Sequence, residues 1–433
     1  MDLLSVNDRL GEYPPSYYAH AATTLPRYPA AKGDLACDVC VIGGGYTGLS
    51  AAWHLAARGF DVVLLEASRV GFGASGRNGG QVGQGQRLDQ DALEKLVGMD
   101  HARALWDIAN QSVDLVRDVA TRDEVHADFH PGVIHASHRA RYVPDYRAYA
   151  EKLQRDYGYD QIQFLDREAL RGLVASPAYH GGTLDTGAGH IDPLQLALGL
   201  ARLATGAGAR IFEGARVTRL TKGDPAIVET DTARIRAAHV VLACNGYLGG
   251  LDPKVAARVM PINNYVIATE PLGAARQEEI IRDNHAVADS KFVVNYFRFS
   301  DDHRLLFGGT ESYRYRFPRD IAAAVWRPLE EVFPQLKGVG ITHAWGGTLG
   351  ITMNRMPHFS RVAGNILSLS GYSGHGVAMA ALAGQIAAEA IAGQAERFDA
   401  MAAVPTPRFP GGAALRWPLL VLGMVWFSLR DRF

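Results

Sequence analysis

The sequence has few cysteines, and neither sign of charge is in excess. Only three cysteines occur in 433 residues, which excludes a disulfide framework and predicts a reducing compartment, the cytoplasm. Cys37 and Cys40 form a Cys-x-x-C pair, but no second pair completes a zinc site, so we interpret both as packing residues and expect no metal. The net charge of −1 excludes the basic surface typical of nucleic-acid-binding proteins. The expected partner is therefore a small molecule.

Long apolar runs are also missing. The stretch WPLLVLGMVWF at residues 417–427 has 11 residues, with a proline and a glycine among them. A membrane-spanning helix needs about 20 residues, so we expect no transmembrane span, and either docking of this tail on the protein or peripheral membrane contact. Residues 1–35 carry four prolines and no basic segment followed by an apolar one. They predict an irregular arm and not a signal peptide.

One stretch predicts a strand, a turn, a helix and a second strand. It covers residues 40–66, CVIGGGYTGLSAAWHLAARGFDVVLLE. The length fits one such unit, about 30 residues. Gly43, Gly45 and Gly48 fall in Gly-x-Gly-x-x-Gly register. The first permits a sharp turn, the second a close approach of backbone to a pyrophosphate, and the third tight helix–strand packing. Glu66 ends the second strand, where a carboxylate can accept a ribose hydroxyl, so we predict a dinucleotide site.

A second glycine-rich stretch, GFGASGRNGGQVGQG at residues 71–85, holds seven glycines in 15 residues. Such a stretch is either a flexible linker or a loop whose backbone lies against a ligand. Its position after a nucleotide-binding unit favours the loop, and so do four side chains able to hydrogen bond. These are Ser75, Arg77, Asn78 and Gln81. We therefore predict a cofactor that extends beyond its adenosine end.

The remaining patterns predict an α/β fold in which a second domain with an antiparallel sheet is inserted into the nucleotide-binding domain. The predicted elements are, in chain order, helix 88–130, strands 131–144, helix 145–175, helix 192–204, strands near 210–220, 226–230 and 239–243, an antiparallel sheet from 261, and a strand, glycine turn and helix from 365 to 392.

Five segments carry a resemblance to a known family. They are DVCVIGGGYTGLSAAWHLAARGFDVVLLEA, GFGASGRNGGQVG, GHIDPLQLALGLARLATGAGARIFEGARV, VVLACNGYLGG and GYSGHGVAMA. Through them the chain resembles the D-amino-acid oxidase, glycine oxidase and sarcosine oxidase family of FAD-dependent oxidoreductases. Within that family it looks most like the γ-glutamylputrescine oxidases, because ASGRNGG and the C-terminal tail also match. Together with the N-terminal arm and the tail, the matching segments span nearly the whole chain.

The resemblance implies a D-amino-acid oxidase-like fold, in which an α/β, Rossmann-like FAD-binding domain carries an inserted α+β substrate domain with an antiparallel sheet. The expected division is an arm at 1–35, the FAD-binding domain at 36–88, 181–257 and 341–400, the substrate domain at 89–180 and 258–340, and an apolar tail at 401–433.

The resemblance also implies which residues contact the cofactor. The predicted set is Gly43, Gly45, Tyr46, Thr47, Gly48, Glu66, Ala67, Gly73, Ala74, Ser75, Arg77, Asn78, Gly79, Gly80, Gln81, Val217, Asn245, Gly246, Gly374, His375, Gly376 and Val377. Some relatives hold flavin covalently, through a cysteine after a Trp-Gly segment or a histidine in the early glycine loop. Here AWGGTLGITMN and GASGRNGG contain neither, so the expected FAD is non-covalent.

Members of this family oxidise a C–N bond by moving hydride equivalents to flavin N5. The implied reaction converts γ-glutamylputrescine, or a similar amine or amino acid, to an aldehyde and ammonia, with O₂ reduced to H₂O₂. The strand HRLLFGGT lacks the lysine that helps to activate O₂ in sarcosine oxidases. An N-methyl or D-amino-acid dehydrogenase that passes electrons to a quinone therefore stays open. A flavin-binding protein without turnover is the alternative from another class.

Candidate reactive residues lie mainly in the GYSGHG turn and in the aromatic-rich strands. A desolvated pocket lowers the pKa of an amine and favours the neutral form that can lose hydride, so no separate base is expected. Each candidate also has an interpretation as a packing or surface residue. The candidates are His375 and Tyr372 for catalysis, Tyr265, Tyr296 and Arg298 for the substrate pocket, Arg77 for neutralising flavin or substrate charge, and Arg355 and His358 in addition.

Overall fold

The computed structural model describes residues 2–312 and 314–411. The helices in these ranges are α1 Tyr17–Ala21, α2 Tyr46–Ala56, α3 Gln90–Val97, α4 Met99–Ala120, α5 Val143–Tyr157, α6 Arg167–Leu173, α7 Pro193–Gly206, α8 Pro253–Ala256, α9 Ala274–Ile280, α10 Ile321–Val332, α11 Gly376–Ile391 and α12 Glu396–Ala402. The strands are β1 Gly33–Ile42, β2 Val62–Leu65, β3 Gln81–Val82, β4 His130–Ala136, β5 Ile162–Leu165, β6 Gly182–His190, β7 Arg210–Phe212, β8 Val217–Thr221, β9 Ala226–Thr230, β10 Ala233–Leu242, β11 Met260–Thr269, β12 Ala286–Asp289, β13 Tyr296–Phe299, β14 Leu305–Ser312, β15 Ile341–Ile351, β16 His358–Ala363 and β17 Ile366–Ser370.

The first sheet is built around β1, which lies between β2 and β10 and runs parallel to both. Its strand order is β16-β17-β10-β1-β2-β7, and β9 and β8 extend from β10. Strand β2 is buried along its whole length, as is typical of a parallel strand covered on both faces. Val39 and Val41 of β1 share an apolar cluster with residues of α2, α7 and α11, so these helices cover one face.

Helices α2 and α11 cross at Gly384 with their backbones in contact. A methyl group at this position would lie 2.4 Å from the carbonyl oxygen of Thr47 and 2.5 Å from the amide nitrogen of Ala51. Because only glycine permits this approach, the two helices lie closer than larger side chains would allow. The hydroxyls of Thr47 and Tyr372 are 2.6 Å apart. The crossing therefore brings the turns before both helices together.

The second sheet has the strand order β15-β11-β14-β13-β12-β4-β6-β3, with β5 paired to β6. Most of its pairs are antiparallel, as predicted, and β12 with β4 is parallel. Phe297, Phe299 and Phe307 lie in an apolar core that also includes residues of α10. Since side chains alternate along a strand, the opposite face of the sheet carries a different set, which includes His135 and Tyr296.

Three local predictions are wrong. The helix expected over 88–130 is two helices, because Gly98 between them has a φ of +84°, which a continuous α-helix cannot contain. The strands predicted over 131–144 reduce to β4, which ends at Ala136, and α5 begins at Val143. The helix expected over 145–175 is interrupted by β5, whose partner β6 lies outside that segment. A pattern read within one segment does not reveal such a long-range pairing.

The division into domains stays a prediction, but three strands predicted for the FAD-binding domain, β3, β6 and β15, pair within the second sheet. Strand β6 follows the predicted boundary at residue 181 and yet pairs with β4 and β5 in the second sheet. Strand β3, inside the glycine-rich loop, also pairs with β6. The loop therefore connects the first sheet to the second.

The N-terminal arm contains the five-residue helix α1 and is partly buried. Tyr18 has no exposed surface, and its ring centroid lies 5.4 Å from that of Trp345 on β15. Asp8 forms an ion pair of 2.8 Å with Arg77 in the glycine-rich loop. The proline pattern suggests an irregular arm laid over the surface. The arm instead packs between that loop and the second sheet.

In the described ranges, no single helix is both long and apolar enough to cross a membrane. Helices α11 and α12 meet that criterion only when taken together, and the chain bends by 120° between them. Of the tail predicted at 401–433, residues 412–433, which include the apolar stretch 417–427, lie outside the described residues.

Candidate active site

The first glycine turn joins β1 to α2. A methyl on Gly43, whose φ is +109°, would lie 2.7 Å from the carbonyl oxygen of Ala243, and one on Gly48 would lie 1.8 Å from that of Gly43. Gly45 precedes the helix without a capping side chain. The amides of Thr47 and Gly48 belong to the first helical turn, where the helix offers them no acceptor. The turn thus presents N–H groups and the positive end of a helix dipole.

Glu66 lies beneath this turn, at the end of β2. Its carboxylate accepts hydrogen bonds from the amides of Gly44 at 2.7 Å and Ser68 at 2.8 Å. Burial raises its pKa to about 7, although these bonds act in the opposite direction. Its carbonyl accepts a bond from the amide of Ala215, which brings Val217 and β8 close by. Glu66 therefore braces the turn, and each carboxylate oxygen keeps one further acceptor position.

The second glycine loop is fixed by its own side chains. The hydroxyl of Ser75 accepts a bond of 3.0 Å from the amide of Tyr46. The side chain of Asn78 accepts from the amide of Gly80 at 2.8 Å and donates to the carbonyl of Ala74 at 3.0 Å. These bonds favour a defined loop over the flexible linker that the composition also allows.

The other residues predicted for the cofactor lie either in the glycine-rich loop or just after the carboxyl ends of parallel strands. Open α/β sheets bind their ligands at these strand ends. These residues are Ala67 after β2, Gly73 at the start of the loop, Gln81 on β3, Asn245 and Gly246 after β10, and Gly376 and Val377 in the first turn of α11.

Two of the three candidate arginines, Arg77 and Arg298, are buried and held by protein groups. Arg77 is 2% exposed and pairs with Asp8. Arg298 is 5% exposed and donates to the carbonyls of Gly79 at 2.8 Å and Ile191 at 2.9 Å. These contacts position the loop. They leave the predicted substrate contact of Arg298 without structural support.

The turn before α11 holds both predicted catalytic residues. The hydroxyl of Tyr372 contacts Thr47, so it is directed to the first glycine turn. Gly374 has a φ of +87°, and no atom of the described residues lies within 4 Å of a methyl placed on it, so these residues leave the turn open there. The two candidates therefore differ: Tyr372 joins the two helices, whereas His375 lies beside the glycine-rich loop.

His375 is a neutral, partly buried imidazole. Its Nε2 atom lies 3.0 Å from the carbonyl oxygen of Gly85. A carbonyl oxygen can only accept, so Nε2 carries the proton and Nδ1 is left as an acceptor. Burial, and then the charge of Arg87, lower the pKa of His375 to about 4.

The second sheet presents a row of neighbouring side chains to the loop. His135, Ala288, Tyr296 and Gly308 are successive cross-strand partners. A methyl on Gly308 would lie 2.1 Å from the ring of Tyr296, and one on Gly79 would lie 2.6 Å from it. The ring therefore lies where this face of the sheet meets the glycine-rich loop, a junction called the cleft from here on.

Two other candidates lie elsewhere. Tyr265 is 1% exposed and belongs to the apolar core on the other face of the sheet, where its ring contacts Phe317. His358 lies in a separate hollow lined also by Lys254 and Arg258. Neither reaches the cleft.

Sequence reasoning missed three side chains of this cleft, Arg87, His135 and Glu311. The charge of Arg87 lowers the pKa of both His135 and His375, although burial is the larger cause. Arg87 could have been noticed, because it follows the glycine-rich stretch by two residues. His135 and Glu311 come together only through strand pairing between distant segments.

Comparison with known proteins decides the family. Residues 38–390 match the family model described as DAO, FAD dependent oxidoreductase. The chain belongs to the DAO family. It is 43% identical over 422 residues to gamma-glutamylputrescine oxidoreductase of Escherichia coli (strain K12), which covers 97% of this chain and 99% of the relative. It is also 43% identical over 419 residues to probable oxidoreductase OrdL of Rhizobium meliloti (strain 1021), covering 96% and 97%.

Solved structures show the same fold. The crystal structure of glycine oxidase from Geobacillus kaustophilus covers 83% of this chain and 95% of its own, with a TM-score of 0.69 and 20% identity. The predicted family, fold class, cofactor and enzyme class are therefore confirmed. This DAO-family chain is an FAD-dependent amine oxidoreductase.

The two turns fit the FAD of the DAO family. Amides without helical acceptors begin both α2 and α11, and such groups bind the pyrophosphate of a dinucleotide. A methyl on Gly45 would lie 2.9 Å from the Ser75 hydroxyl, so only glycine keeps this approach open. Glu66 would hold the ribose, and the loop from Gly73 to Gln81 would contact the flavin end.

Proposed function

We propose that this DAO-family enzyme oxidises the primary amine of γ-glutamylputrescine, or of a closely similar compound, to an aldehyde and ammonia. Two electrons pass from the C–N bond to O₂, which becomes H₂O₂, and one water supplies the aldehyde oxygen. The observation that carries the proposal is the 43% identity to gamma-glutamylputrescine oxidoreductase over 97% of this chain. The proposed substrate is the compound for which that relative is named.

The contribution of the chain is to hold a neutral amine beside the cofactor. FAD, when bound, accepts the hydride equivalents that the amine loses. Burial lowers the pKa of His135 and of His375 to about 4, so both rings are neutral at pH 7. The Nδ1 atom of His375 can then accept a hydrogen bond from the amine. A desolvated cleft also lowers the pKa of the substrate amine.

Oxygen uptake tests the reaction directly. With γ-glutamylputrescine in air, the holoenzyme should consume one O₂ and form one H₂O₂ and one ammonia for each aldehyde. Strand β14 carries no lysine, and for that reason a quinone-linked dehydrogenase is the second candidate. Turnover that begins only when a soluble quinone is added would replace the oxidase by a dehydrogenase. Oxidation of sarcosine or D-alanine, but not of γ-glutamylputrescine, would overturn the proposed substrate.

The FAD in this proposal is bound non-covalently. The AWGGTLGITMN and GASGRNGG segments contain no cysteine or histidine that could form the bond. Acid precipitation of the holoenzyme should therefore leave all the yellow colour in the supernatant. Colour that stays in the washed pellet would contradict this prediction.

A further inference from the structure

Three charged side chains in the cleft, Arg87, Glu311 and Arg355, have no contact with the substrate in the oxidation described above, although the charge of Arg87 helps to lower the pKa of His375. In the part of the chain that the structure describes, none of the three side chains makes a hydrogen bond or an ion pair within the protein. The guanidinium of Arg355 lies 5.7 Å from the ring centroid of Phe292. Arg87 is exposed, and Glu311 and Arg355 are partly exposed, so all three charged groups are open to a ligand that can pair with them.

Both arginines are attached to the turn before α11. Arg87 lies two residues after the carbonyl that His375 holds at 3.0 Å. Arg355 lies in the turn after β15, with a φ of +66°. Thr352, where that turn begins, donates its amide to the hydroxyl of Ser373 at 3.1 Å. The two guanidiniums are therefore carried by segments that meet at the same turn.

Glu311 faces the cleft because of a β-bulge. Between the cross-strand pairs Asn264–Glu311 and Val266–Gly308, β14 has one residue more than β11. Regular alternation would place Glu311 on the face of Phe307, in the apolar core. The bulge turns it instead to the face of Gly308, where Tyr296 lines the cleft. A bulge that directs a carboxylate out of a core is typical of a functional site.

The three charges act on one another. Burial raises the pKa of Glu311, and the positive charges of Arg355 and then Arg87 oppose that shift. Burial lowers the pKa of Arg87, as does the charge of Arg355, whereas Glu311 opposes the shift. Two positive charges and one negative charge therefore lie near enough to influence one another, and no two of these described residues form an ion pair. They complement a group that carries a carboxylate beside an ammonium.

We propose that Arg87, Arg355 and Glu311 bind the α-amino-acid group of the substrate, the arginines its carboxylate and the glutamate its ammonium. This group lies at the far end of a γ-glutamyl amine from the carbon that is oxidised. The inference rests on the proposed function and adds which part of the substrate is recognised. A free diamine has no carboxylate and leaves both arginines without a partner, so the enzyme selects the γ-glutamyl compound over putrescine.

Conservative variants test the site. The holoenzymes Arg87→Gln, Arg355→Gln and Glu311→Gln should each raise KM for γ-glutamylputrescine about 10- to 100-fold, the effect of losing a charged hydrogen bond. Their kcat should stay within about threefold of the original, because the contact is the same in ground and transition states. Arg219→Gln, on β8 with a side chain 73% exposed, is the matched control and should change neither constant. With N-acetylputrescine, which lacks the amino-acid group, all variants should match the unaltered enzyme.

Direct binding separates this inference from the proposed function. γ-Glutamyl-n-butylamide keeps the amino-acid group but has no amine to oxidise. In calorimetry it should bind the unaltered holoenzyme and Arg219→Gln equally, and Arg87→Gln at least about 10-fold more weakly. Equal binding by all three overturns the charged site, even where γ-glutamylputrescine is oxidised. If γ-glutamylputrescine does not reduce the flavin, the proposed function fails, and the calorimetry still decides whether the cleft binds the amino-acid group.

Discussion

Single residues around the flavin site combine two tasks, since several predicted ligands also hold the site together. Glu66 braces the first glycine turn through Gly44 and Ser68. Arg298 donates to the carbonyl of Gly79 in the second loop and to that of Ile191 after β6. Glycine spacing alone indicated where the turns lie, because the need for close approach is local. It could not show which polar side chains already form hydrogen bonds within the protein.

The protonation state of His375 leads to a pH prediction. Because burial lowers its pKa to about 4, the ring is neutral throughout the range from about pH 6 to 9. The rate of anaerobic flavin reduction should rise with pH only as the substrate amine loses its proton. His375→Gln should lower this rate about 10-fold, the effect of one hydrogen bond, without changing the shape of the profile. A break near the ordinary histidine pKa that disappears in the variant would contradict a neutral His375.

A substitution of the single residue Gly45 tests whether the first glycine turn binds the cofactor. The valine of Gly45→Val would displace Ser75, whose hydroxyl lies 2.9 Å from the position of the first added carbon, and would block approach to the pyrophosphate. This variant should fold but purify without colour. Gly206→Val is the control, since no atom lies within 4 Å of a methyl there. A yellow Gly45→Val protein with a full complement of FAD would show that the turn does not bind the cofactor.

At the scale of elements, helix α11 matters because its N-terminus lies beside that of α2. Both helices can therefore contribute backbone N–H groups to the same cofactor site. The strand, glycine turn and helix of both units were predictable, because each pattern lies within one stretch of sequence. The pairing of β5 with β6 and the bulge that turns Glu311 were not. Both depend on strands that are distant in sequence, and the charged part of the cleft was missed for the same reason.

The crossing of α2 and α11 can be tested at Gly384. The added methyl of Gly384→Ala would lie 2.4 Å from a backbone oxygen of α2, so the helices must separate. We expect a loss of about 1–3 kcal/mol in the free energy of unfolding, as for other overpacked cores, together with weaker FAD binding. Urea unfolding and FAD titration measure the two effects. Gly172→Ala in α6, where a methyl meets no atom within 4 Å, should not destabilise the protein. Equal stability of the two variants would contradict the close crossing.

At the scale of the whole molecule, the N-terminal arm joins the glycine-rich loop to the second sheet. Arg77 of the loop pairs with Asp8, and Tyr18 packs on Trp345. The arm therefore supports the cleft from outside. Its prolines predicted irregular backbone, but the burial of Tyr18 follows from contacts with distant segments that composition does not report.

The ion pair between the arm and the loop gives a prediction with a matched control. Asp8→Asn leaves the buried guanidinium of Arg77 without its carboxylate, and we expect a loss of about 3 kcal/mol in the free energy of unfolding. Asp2→Asn removes an exposed pair with Arg216 and should cost less than about 1 kcal/mol. Denaturant unfolding of both variants measures the difference. Similar, small losses would show that the arm does not support the loop.

The most direct test of the whole account is an anaerobic titration of the oxidised holoenzyme with γ-glutamylputrescine, putrescine, sarcosine and D-alanine, each added separately while the visible spectrum is recorded. We predict that γ-glutamylputrescine bleaches the yellow flavin band completely at low concentration, and that the other three amines do so far more weakly or not at all. A protein whose flavin is bleached equally well by putrescine, or by none of the four amines, would contradict the account.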